Sequence, residues 1–169
     1  EAYFEYACHL SDYPDSMHYR YDNVITLRTF SKAHGLAGFR VGYGFAHEDL
    51  IENLNKVKLP FEPSCPAQVA AIAALDDSAY IENTITSCRE GMESMEMVFK
   101  ELEFDYIPSA ANFLTLVFDN EEEAASFCDT MLHKGIILRH LAGWGLPDCI
   151  RVTVGQESEN EYLVTCLSE

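Results

Sequence analysis

Lys32 lies in a segment that glycines interrupt, and Arg40 follows it in the run Ser31-Lys32-Ala33-His34-Gly35-Leu36-Ala37-Gly38-Phe39-Arg40. A lysine amine forms a Schiff base with a carbonyl compound when burial and neighbouring cations keep part of it unprotonated. Ser31, Thr29 and Arg40 supply donors for a phosphate beside that carbonyl. The pattern therefore predicts a site for a phosphorylated aldehyde, and pyridoxal phosphate carries both groups.

These side chains also have purely structural interpretations. In that alternative Lys32 is an exposed loop residue, as most lysines are. Arg40 then pairs with one of the 28 acidic residues. The glycines from 35 to 44 fit neither G-x-G-x-x-G nor G-x-x-x-x-G-K, which argues against a nucleotide-binding loop.

The residues around Lys32 predict a strand, a tight turn and a second strand. Positions 24–30 are rich in β-branched side chains and predict a strand that ends at the lysine turn. Positions 41–46 predict a second strand, and a helix begins near Glu48, where acidic side chains suit its positive end. Open α/β sheets bind ligands at the carboxyl ends of their strands, so we expect the site there.

The middle of the chain predicts a loop and two helices. Three prolines between 58 and 66 exclude a continuous helix, and Ala67 to Leu75 predicts a short one. A long helix from Ser78 has an apolar stripe of Ile81, Ile85, Cys88, Met92, Met95, Phe99 and Leu102. The stripe favours a helix that lies against a sheet, with a coiled-coil partner surface as the alternative.

The remaining sequence predicts a compact α+β unit. Strands are predicted at 112–118, 135–139 and 149–154, and helices at 121–133 and 157–167. Asp119 and Glu122 fit a capping box that opens the first of these helices, and Gly135 ends it. We therefore predict an α/β fold with two domains, residues 1–77 and 78–169, linked by the long helix.

Composition and charge limit the classes of partner. The chain is 48% hydrophobic and 12% aromatic, as packed globular proteins are. Its formal charge of -17 disfavours nucleic acid and anionic lipid surfaces, and no apolar run reaches the roughly 18 residues of a membrane helix. We therefore predict small-molecule partners, with no nucleic acid and no membrane.

Cysteine and histidine spacing predicts no metal site. The six cysteines include no C-x-x-C pair, and the six histidines form no H-E-x-x-H pattern. Free thiols favour a reducing cytoplasm. The first residues resemble no signal peptide, and Glu1 stands where a methionine is usual, so we expect further sequence upstream.

The segment from Thr29 to Tyr43 resembles the cofactor segment of fold-type I pyridoxal-phosphate aminotransferases, and among them of histidinol-phosphate aminotransferases. Glu1-Ala2-Tyr3 resembles the end of that family's Asp-Glu-Ala-Tyr segment. Residues 150–155, Ile-Arg-Val-Thr-Val-Gly, resemble its substrate-binding strand. The resemblance covers essentially the whole chain. It implies the C-terminal portion of a family member: part of the large domain over 1–77, then the small α+β C-terminal domain over 78–169.

The resemblance implies a role for each matching residue near the lysine. Lys32 matches the catalytic lysine, which binds the cofactor aldehyde and then moves a proton as general base. Ser31 and Arg40 match the phosphate-binding pair, with Thr29 as a further contact. Tyr3 matches the phenol that hydrogen-bonds the cofactor's ring oxygen. As one of nine tyrosines, Tyr3 alternatively only packs.

Arg151 and Arg139 match arginines that bind substrate anions. They would hold the phosphate of histidinol phosphate in one half-reaction and a carboxylate of glutamate or 2-oxoglutarate in the other. Alternatively, both extend from their strands into solvent. Asn112, at the start of its strand, is a third candidate substrate contact, with an ordinary turn role as the alternative.

The function implied is amino transfer between glutamate and imidazole-acetol phosphate in histidine biosynthesis, by a cytoplasmic homodimer when full length. A threonine-phosphate decarboxylase, an aromatic amino-acid aminotransferase and an inactive C-terminal fragment are the alternatives. The sequence departs from the family at two positions: His34 stands where many members have an aromatic residue, and His140 where proline is frequent. The aspartate that pairs with the pyridine nitrogen would precede Glu1.

Overall fold

The computed structural model describes residues 1–19 and 21–168, which form a mixed arrangement of helices and strands. The chain divides into two compact units, Glu1–Ile85 and Thr86–Glu169. This division falls inside the long helix that we predicted to link two domains. The domain boundary between residues 77 and 78 therefore stays a prediction.

The first unit is built around a two-stranded antiparallel sheet. Its elements are α1 (Phe4–Ala7), β1 (Thr26–Thr29), β2 (Gly42–Phe45), α2 (Glu48–Val57) and α3 (Cys65–Leu75). Thr29 at the end of β1 pairs with Gly42 at the start of β2. Both strands lie within the ranges that we predicted, so the lysine turn connects them.

Helix α3 begins two residues earlier than its alanine-rich sequence predicts. The Ser64 side chain accepts a hydrogen bond from the Ala67 N–H, at 3.3 Å, and caps the helix. Pro66 is tolerated because the first turn of a helix has no partner for its missing N–H. The predicted loop after α2 is therefore confined to residues 58–64.

The core of the first unit holds both sides of the lysine turn. Phe30, before the turn, and Val41, after it, are buried against Ala67 and Ala71 of α3. Small alanine side chains allow α3 to approach the strands closely. This packing fixes the two ends of the segment that carries Lys32.

The second unit contains a four-stranded antiparallel sheet covered by helices. Its elements are most of α4 (Ser78–Glu101), then β3 (Asp105–Ile107), β4 (Phe113–Val117), α5 (Glu121–His133), β5 (Arg139–His140), β6 (Cys149–Thr153) and α6 (Glu157–Leu167). The strand order is β3-β4-β6-β5. Helix α6 has the bounds that we predicted.

The apolar stripe of α4 packs on this sheet. Met92, Met95 and Phe99 are buried in a cluster with residues of β4 and β6, among them Leu114 and Ile150. A helix surface that is buried against a sheet is not available for a coiled coil. The interpretation as a sheet-covering helix is confirmed, and the coiled-coil alternative is wrong.

The predicted capping box of α5 is wrong by one residue. Asn120, rather than Asp119, is the N-cap: its Oδ1 accepts from the Glu123 N–H at 3.0 Å, and its Nδ2 donates to Glu123 Oε1 at 3.1 Å. Asparagine caps helices as well as aspartate does, so the local sequence allows both registers. The predicted partner, Glu122, lies elsewhere in the first turn.

The strand predicted at 135–139 is also shorter than expected. Gly135 has a left-handed φ of 83°, and the Ile136 N–H donates to the Met131 carbonyl at 2.8 Å. The left-handed Gly135 and this bond close the end of α5, so residues 135 and 136 do not join the sheet. Pairing with β6 therefore begins only at Arg139.

Candidate functional site

The turn that carries Lys32 is tight and favours glycine at position 35. The Lys32 carbonyl accepts a hydrogen bond from the Gly35 N–H at 2.9 Å. Gly35 has a φ of 69°, and a Cβ atom at this position would lie 2.6 Å from the Tyr80 hydroxyl. Other residues would meet both backbone strain and a steric clash here. The turn directly follows β1, as we predicted.

Lys32 is half-buried beside Tyr3. Its Nζ lies 5.5 Å from the centroid of the Tyr3 ring, so the structure brings these two predicted site residues together. Within residues 1–19 and 21–168, no carboxylate forms a salt bridge with Lys32. An amine without a carboxylate partner is available as a nucleophile once it loses a proton. The alternative of a fully exposed loop lysine is not supported.

The predicted phosphate contacts, Thr29, Ser31 and Arg40, all carry hydrogen-bond donors. Thr29 Oγ1 accepts from the Ser31 N–H at 3.1 Å, and its own proton can still be donated to an anion. Arg40 is exposed, and one terminal nitrogen donates to the Ala37 carbonyl at 2.8 Å. In the described parts of the chain Arg40 pairs with no carboxylate, contrary to its structural alternative. Most of its N–H groups remain for a phosphate.

A buried pair that the sequence did not predict joins α1 to the lysine turn. His34 Nε2 lies 3.5 Å from Glu5 Oε1, and the two side chains are only 7% and 11% exposed. The His34 ring also packs against the Phe30 ring, with 4.9 Å between the ring centroids. Among the described residues, its buried Nδ1 has no hydrogen-bond partner. In the sequence, His34 stood out only because it occupies a position where many family members have an aromatic residue.

A second unpredicted cluster surrounds Arg28 of β1. Its guanidinium contacts Glu1 Oε2 at 3.0 Å and Asp15 Oδ1 at 3.1 Å, and its Cζ lies 3.3 Å from the Phe4 ring centroid. Burial raises the pKa of Glu1, but hydrogen bonds from Ser16 and Arg28 outweigh that effect and leave it below the ordinary value. The cluster therefore attaches the start of the chain to β1.

The two predicted substrate arginines are neighbours in the second unit. Arg139 of β5 lies directly opposite Arg151 of β6, and opposed side chains in antiparallel strands share one face of the sheet. Both line one cleft of about 550 Å³. Neither forms a salt bridge with a carboxylate that the structure describes. Two adjacent, unneutralised guanidinium groups favour the binding of an anion.

The two arginines differ in burial. Arg151 is half-buried, and its buried Nε has no partner among the described residues. Its Cζ lies 5.2 Å from the Phe113 ring, so it does not simply extend into solvent. Arg139 is exposed, as its structural alternative predicts.

Asn112 has a structural role through its backbone. Its carbonyl accepts from the Val154 N–H at 3.0 Å and so continues the pairing of β4 with β6 by one residue. The side chain is half-buried. A contact between Asn112 and substrate stays a prediction.

Residues 1–19 and 21–168 contain neither a metal-binding cluster nor a membrane-spanning helix. No group of three or more His, Cys, Asp or Glu side chains is placed to hold a metal ion. Every helix in these ranges is too short or too polar to cross a bilayer.

Comparisons with known proteins relate this chain to enzymes of amino transfer. The family described as aminotransferase class I and II matches residues 2–167. Histidinol-phosphate aminotransferase 1 of Nitrosococcus oceani is 41% identical over 169 residues, which cover 99% of this chain and 45% of that protein. Histidinol-phosphate aminotransferase 2 of Carboxydothermus hydrogenoformans is 43% identical over 166 residues, which cover 97% of this chain and 45% of that protein.

Solved structures show the same fold. Histidinol-phosphate aminotransferase from Sinorhizobium meliloti, in complex with pyridoxal-5'-phosphate, has a TM-score of 0.80 and 30% identity, over 86% of this chain and 40% of that chain. A putative histidinol-phosphate aminotransferase from Erwinia carotovora atroseptica has a TM-score of 0.90 at 24% identity, over 99% of this chain and 48% of that chain. The predicted fold is confirmed.

This chain spans about half the length of the curated relatives, 45% in both proteins above. These shares of length do not fix a position within the relatives, so the C-terminal location stays a prediction. The family match covers nearly all of the chain. The chain belongs to the aminotransferase class I and II family.

Proposed function

We propose that this chain is part of a pyridoxal-phosphate-dependent aminotransferase, in which it binds the cofactor and the anionic group of the substrate. The observation that carries the proposal is the half-buried Lys32, next to Tyr3 and without a carboxylate partner among the described residues. Relatives at 41% and 43% identity are histidinol-phosphate aminotransferases. They favour amino transfer between glutamate and imidazole-acetol phosphate, in histidine biosynthesis.

The donors in the first unit fit pyridoxal phosphate. Lys32 would hold its aldehyde, and the hydroxyls of Thr29 and Ser31 with the Arg40 guanidinium would hold its phosphate. Tyr3 would donate to its ring oxygen. When bound, the cofactor supplies an electron sink for the carbanion formed as the substrate loses a proton.

The side chains then have separate tasks. Once the substrate's amino group has replaced it on the aldehyde, Lys32 Nζ would take the proton from the substrate carbon that bears the amino group and deliver it to the former aldehyde carbon, first as a general base and then as a general acid. The Tyr3 ring beside Nζ restricts the positions that the amine occupies. Arg139 and Arg151 bind the substrate's phosphate or carboxylate.

Three other proposals account for fewer observations. L-threonine-O-3-phosphate decarboxylase from Porphyromonas gingivalis and aromatic aminotransferase from Pyrococcus horikoshii share the fold, with TM-scores of 0.80 and 0.78. At 20% and 19% identity these likenesses show the fold alone. An inactive fragment is the third. A homodimer and a cytoplasmic location of the full-length protein also stay predictions.

Reductive labelling tests the proposal directly. We would add pyridoxal phosphate to the chain, record the visible absorption, reduce with borohydride and map the modified lysine by mass spectrometry. We expect one dominant label on Lys32, because an amine among phosphate donors captures the aldehyde at lower concentration than a surface amine does.

Two variants control the labelling experiment. Lys32→Ala should abolish the specific label, whereas Lys56→Ala, at an exposed position of α2, should leave it unchanged. No label, or equal labels on Lys56 and Lys58, would contradict cofactor binding by this chain and support the inactive fragment.

A further inference from the structure

Each arginine of the pair lies against an aromatic ring. Arg139 Cζ is 5.8 Å from the Trp144 ring centroid, and Arg151 Cζ is 5.2 Å from that of Phe113. The face of an aromatic ring attracts a cation through its quadrupole but does not neutralise the charge. Both guanidinium groups are therefore restrained while their N–H groups stay available to an anion.

The loop that carries Trp144 is held by its own hydrogen bonds. Trp144 ends the 3-10 turn Ala142–Trp144, and its N–H donates to the Leu141 carbonyl at 2.8 Å. The two ends of the loop meet where His140 Nε2 lies 2.6 Å from the Pro147 carbonyl oxygen. This contact keeps the loop closed. Trp144 is thus set beside Arg139 by the local fold.

We propose that Trp144 is a positioning residue: its ring holds Arg139 beside Arg151, so that the pair binds a dianionic phosphate group more tightly than a carboxylate. This inference rests on the proposed function only for the identity of the substrate; the binding of phosphate by the two arginines does not. Two adjacent cations repel each other, and a dianion offsets that repulsion more fully than a monoanion does. The specificity for phosphate-bearing substrates would then depend on a loop residue that itself need not contact them.

The cleft also contains one carboxylate, that of Glu159. Its Oε2 accepts the Gln156 N–H at 2.7 Å, at the start of α6. This bond engages Glu159 within its own helix, and no salt bridge joins it to either arginine in the described structure. The positive charge of the pair therefore remains for a ligand.

Trp144 is the single tryptophan of this chain, so its fluorescence reports on the proposed site. We would titrate the 169-residue chain with inorganic phosphate, and separately with acetate, at constant ionic strength. We expect a saturable change with phosphate and binding about fivefold weaker, or more, with acetate. Arg139→Gln should abolish the phosphate response, and Arg89→Gln, an exposed change in α4, should preserve it. An unchanged response in Arg139→Gln, or equal affinities for both anions, would overturn the proposal.

Variants of the tryptophan test its positioning role by calorimetry. Trp144→Leu should weaken phosphate binding about two- to fivefold, and Trp144→Phe, which keeps a ring face, should change it less than about twofold. Trp144 is 66% exposed, so neither change should disturb folding, which circular dichroism would verify. Equal phosphate affinity of Trp144→Leu and the unchanged chain would overturn the role of the ring.

In the full-length enzyme, Trp144→Leu should raise KM for the phosphate-bearing substrate by a similar factor, raise the KM for glutamate by less, and leave kcat unchanged. Equal increases in both KM values would contradict a preference for dianions. The Lys32 labelling experiment is independent of this site. Phosphate binding that depends on Trp144, together with failed labelling, would refute the proposed function and leave this inference intact.

Discussion

At Arg40, the backbone and the side chain favour different residue types. Its φ of 54° lies in the left-handed region, which costs a residue with a Cβ atom about 1–2 kcal/mol relative to glycine. Only a guanidinium, however, offers several N–H groups to a phosphate. Such strain is common at functional sites, and here it accompanies the proposed phosphate contact.

Replacing Arg40 separates these two effects. Arg40→Gly and Arg40→Ala should both weaken pyridoxal phosphate binding about tenfold or more, because both remove a charge-assisted contact. Arg40→Gly should nevertheless be about 1 kcal/mol more stable than Arg40→Ala, because glycine adopts the left-handed backbone without strain. Cofactor titration and denaturant unfolding measure the two quantities. Equal stabilities of the variants would rule out backbone strain at this position.

The Glu1 carboxyl should make stability depend on acid pH. Because its folded pKa lies below the ordinary value of 4.5, its contribution is complete above that value and is lost as pH falls through the folded pKa. Glu1→Gln should lower the free energy of unfolding at pH 7 by about 1–3 kcal/mol, since Arg28 loses one of its two carboxylate partners. The free energies of unfolding of Glu1→Gln and of the unchanged chain, plotted against pH, should converge in acid. Glu82→Gln, at an exposed position of α4, serves as control, and parallel curves for Glu1→Gln would refute this account.

At the scale of elements, long apolar patterns predicted structure best. The stripe of α4 indicated its buried face because Met92, Met95 and Phe99 recur at helical spacing and meet one sheet. The ends of elements were harder to predict. Asp119 and Asn120 are equally good caps, and residues 135 and 136, in a predicted strand, close the turn after α5 instead. The Glu5–His34 and Arg28 contacts join distant positions, and local sequence holds no information on such partners.

Gly91 of α4 lies close to Val154, the residue after β6, and to Asn160 of α6. A Cβ atom there would lie 2.5 Å from Val154 Cγ1 and 2.9 Å from Asn160 Nδ2. Gly91→Ala should therefore destabilise the chain by about 1–3 kcal/mol, although alanine normally favours helices by about 1 kcal/mol. Ser94→Ala, exposed on the same helix, should change stability by less than about 0.5 kcal/mol. A more stable Gly91→Ala variant in thermal unfolding would show that α4 can move away from β6.

At the scale of the whole molecule, the charge of -17 has two effects. It opposes the binding of anions at long range, so an anion site needs local cations without carboxylate partners, as Lys32, Arg40, Arg139 and Arg151 are in the described structure. It also destabilises the compact state through repulsion among the acidic side chains. The net charge follows from the sequence, but only the structure shows which cations have no carboxylate partner among the described residues.

Sodium chloride should therefore stabilise the chain. Raising its concentration from about 0.02 M to about 0.3 M shortens the range of charge repulsion, and the thermal midpoint should rise. The increase should be larger at pH 8 than at pH 4.5, where part of the carboxylates is protonated. A midpoint that falls with salt at pH 8 would show that attractive ion pairs, such as Arg28 with Glu1, dominate the electrostatics.

The contact between Glu5 and His34 also governs how the lysine moves. Glu5 lies just after Tyr3 in sequence and His34 just after Lys32, so the contact connects the two backbone segments next to the phenol and the amine. A buried contact of this kind restrains both segments. We therefore expect the phenol and the amine to move together, so that their separation varies less than the position of either group.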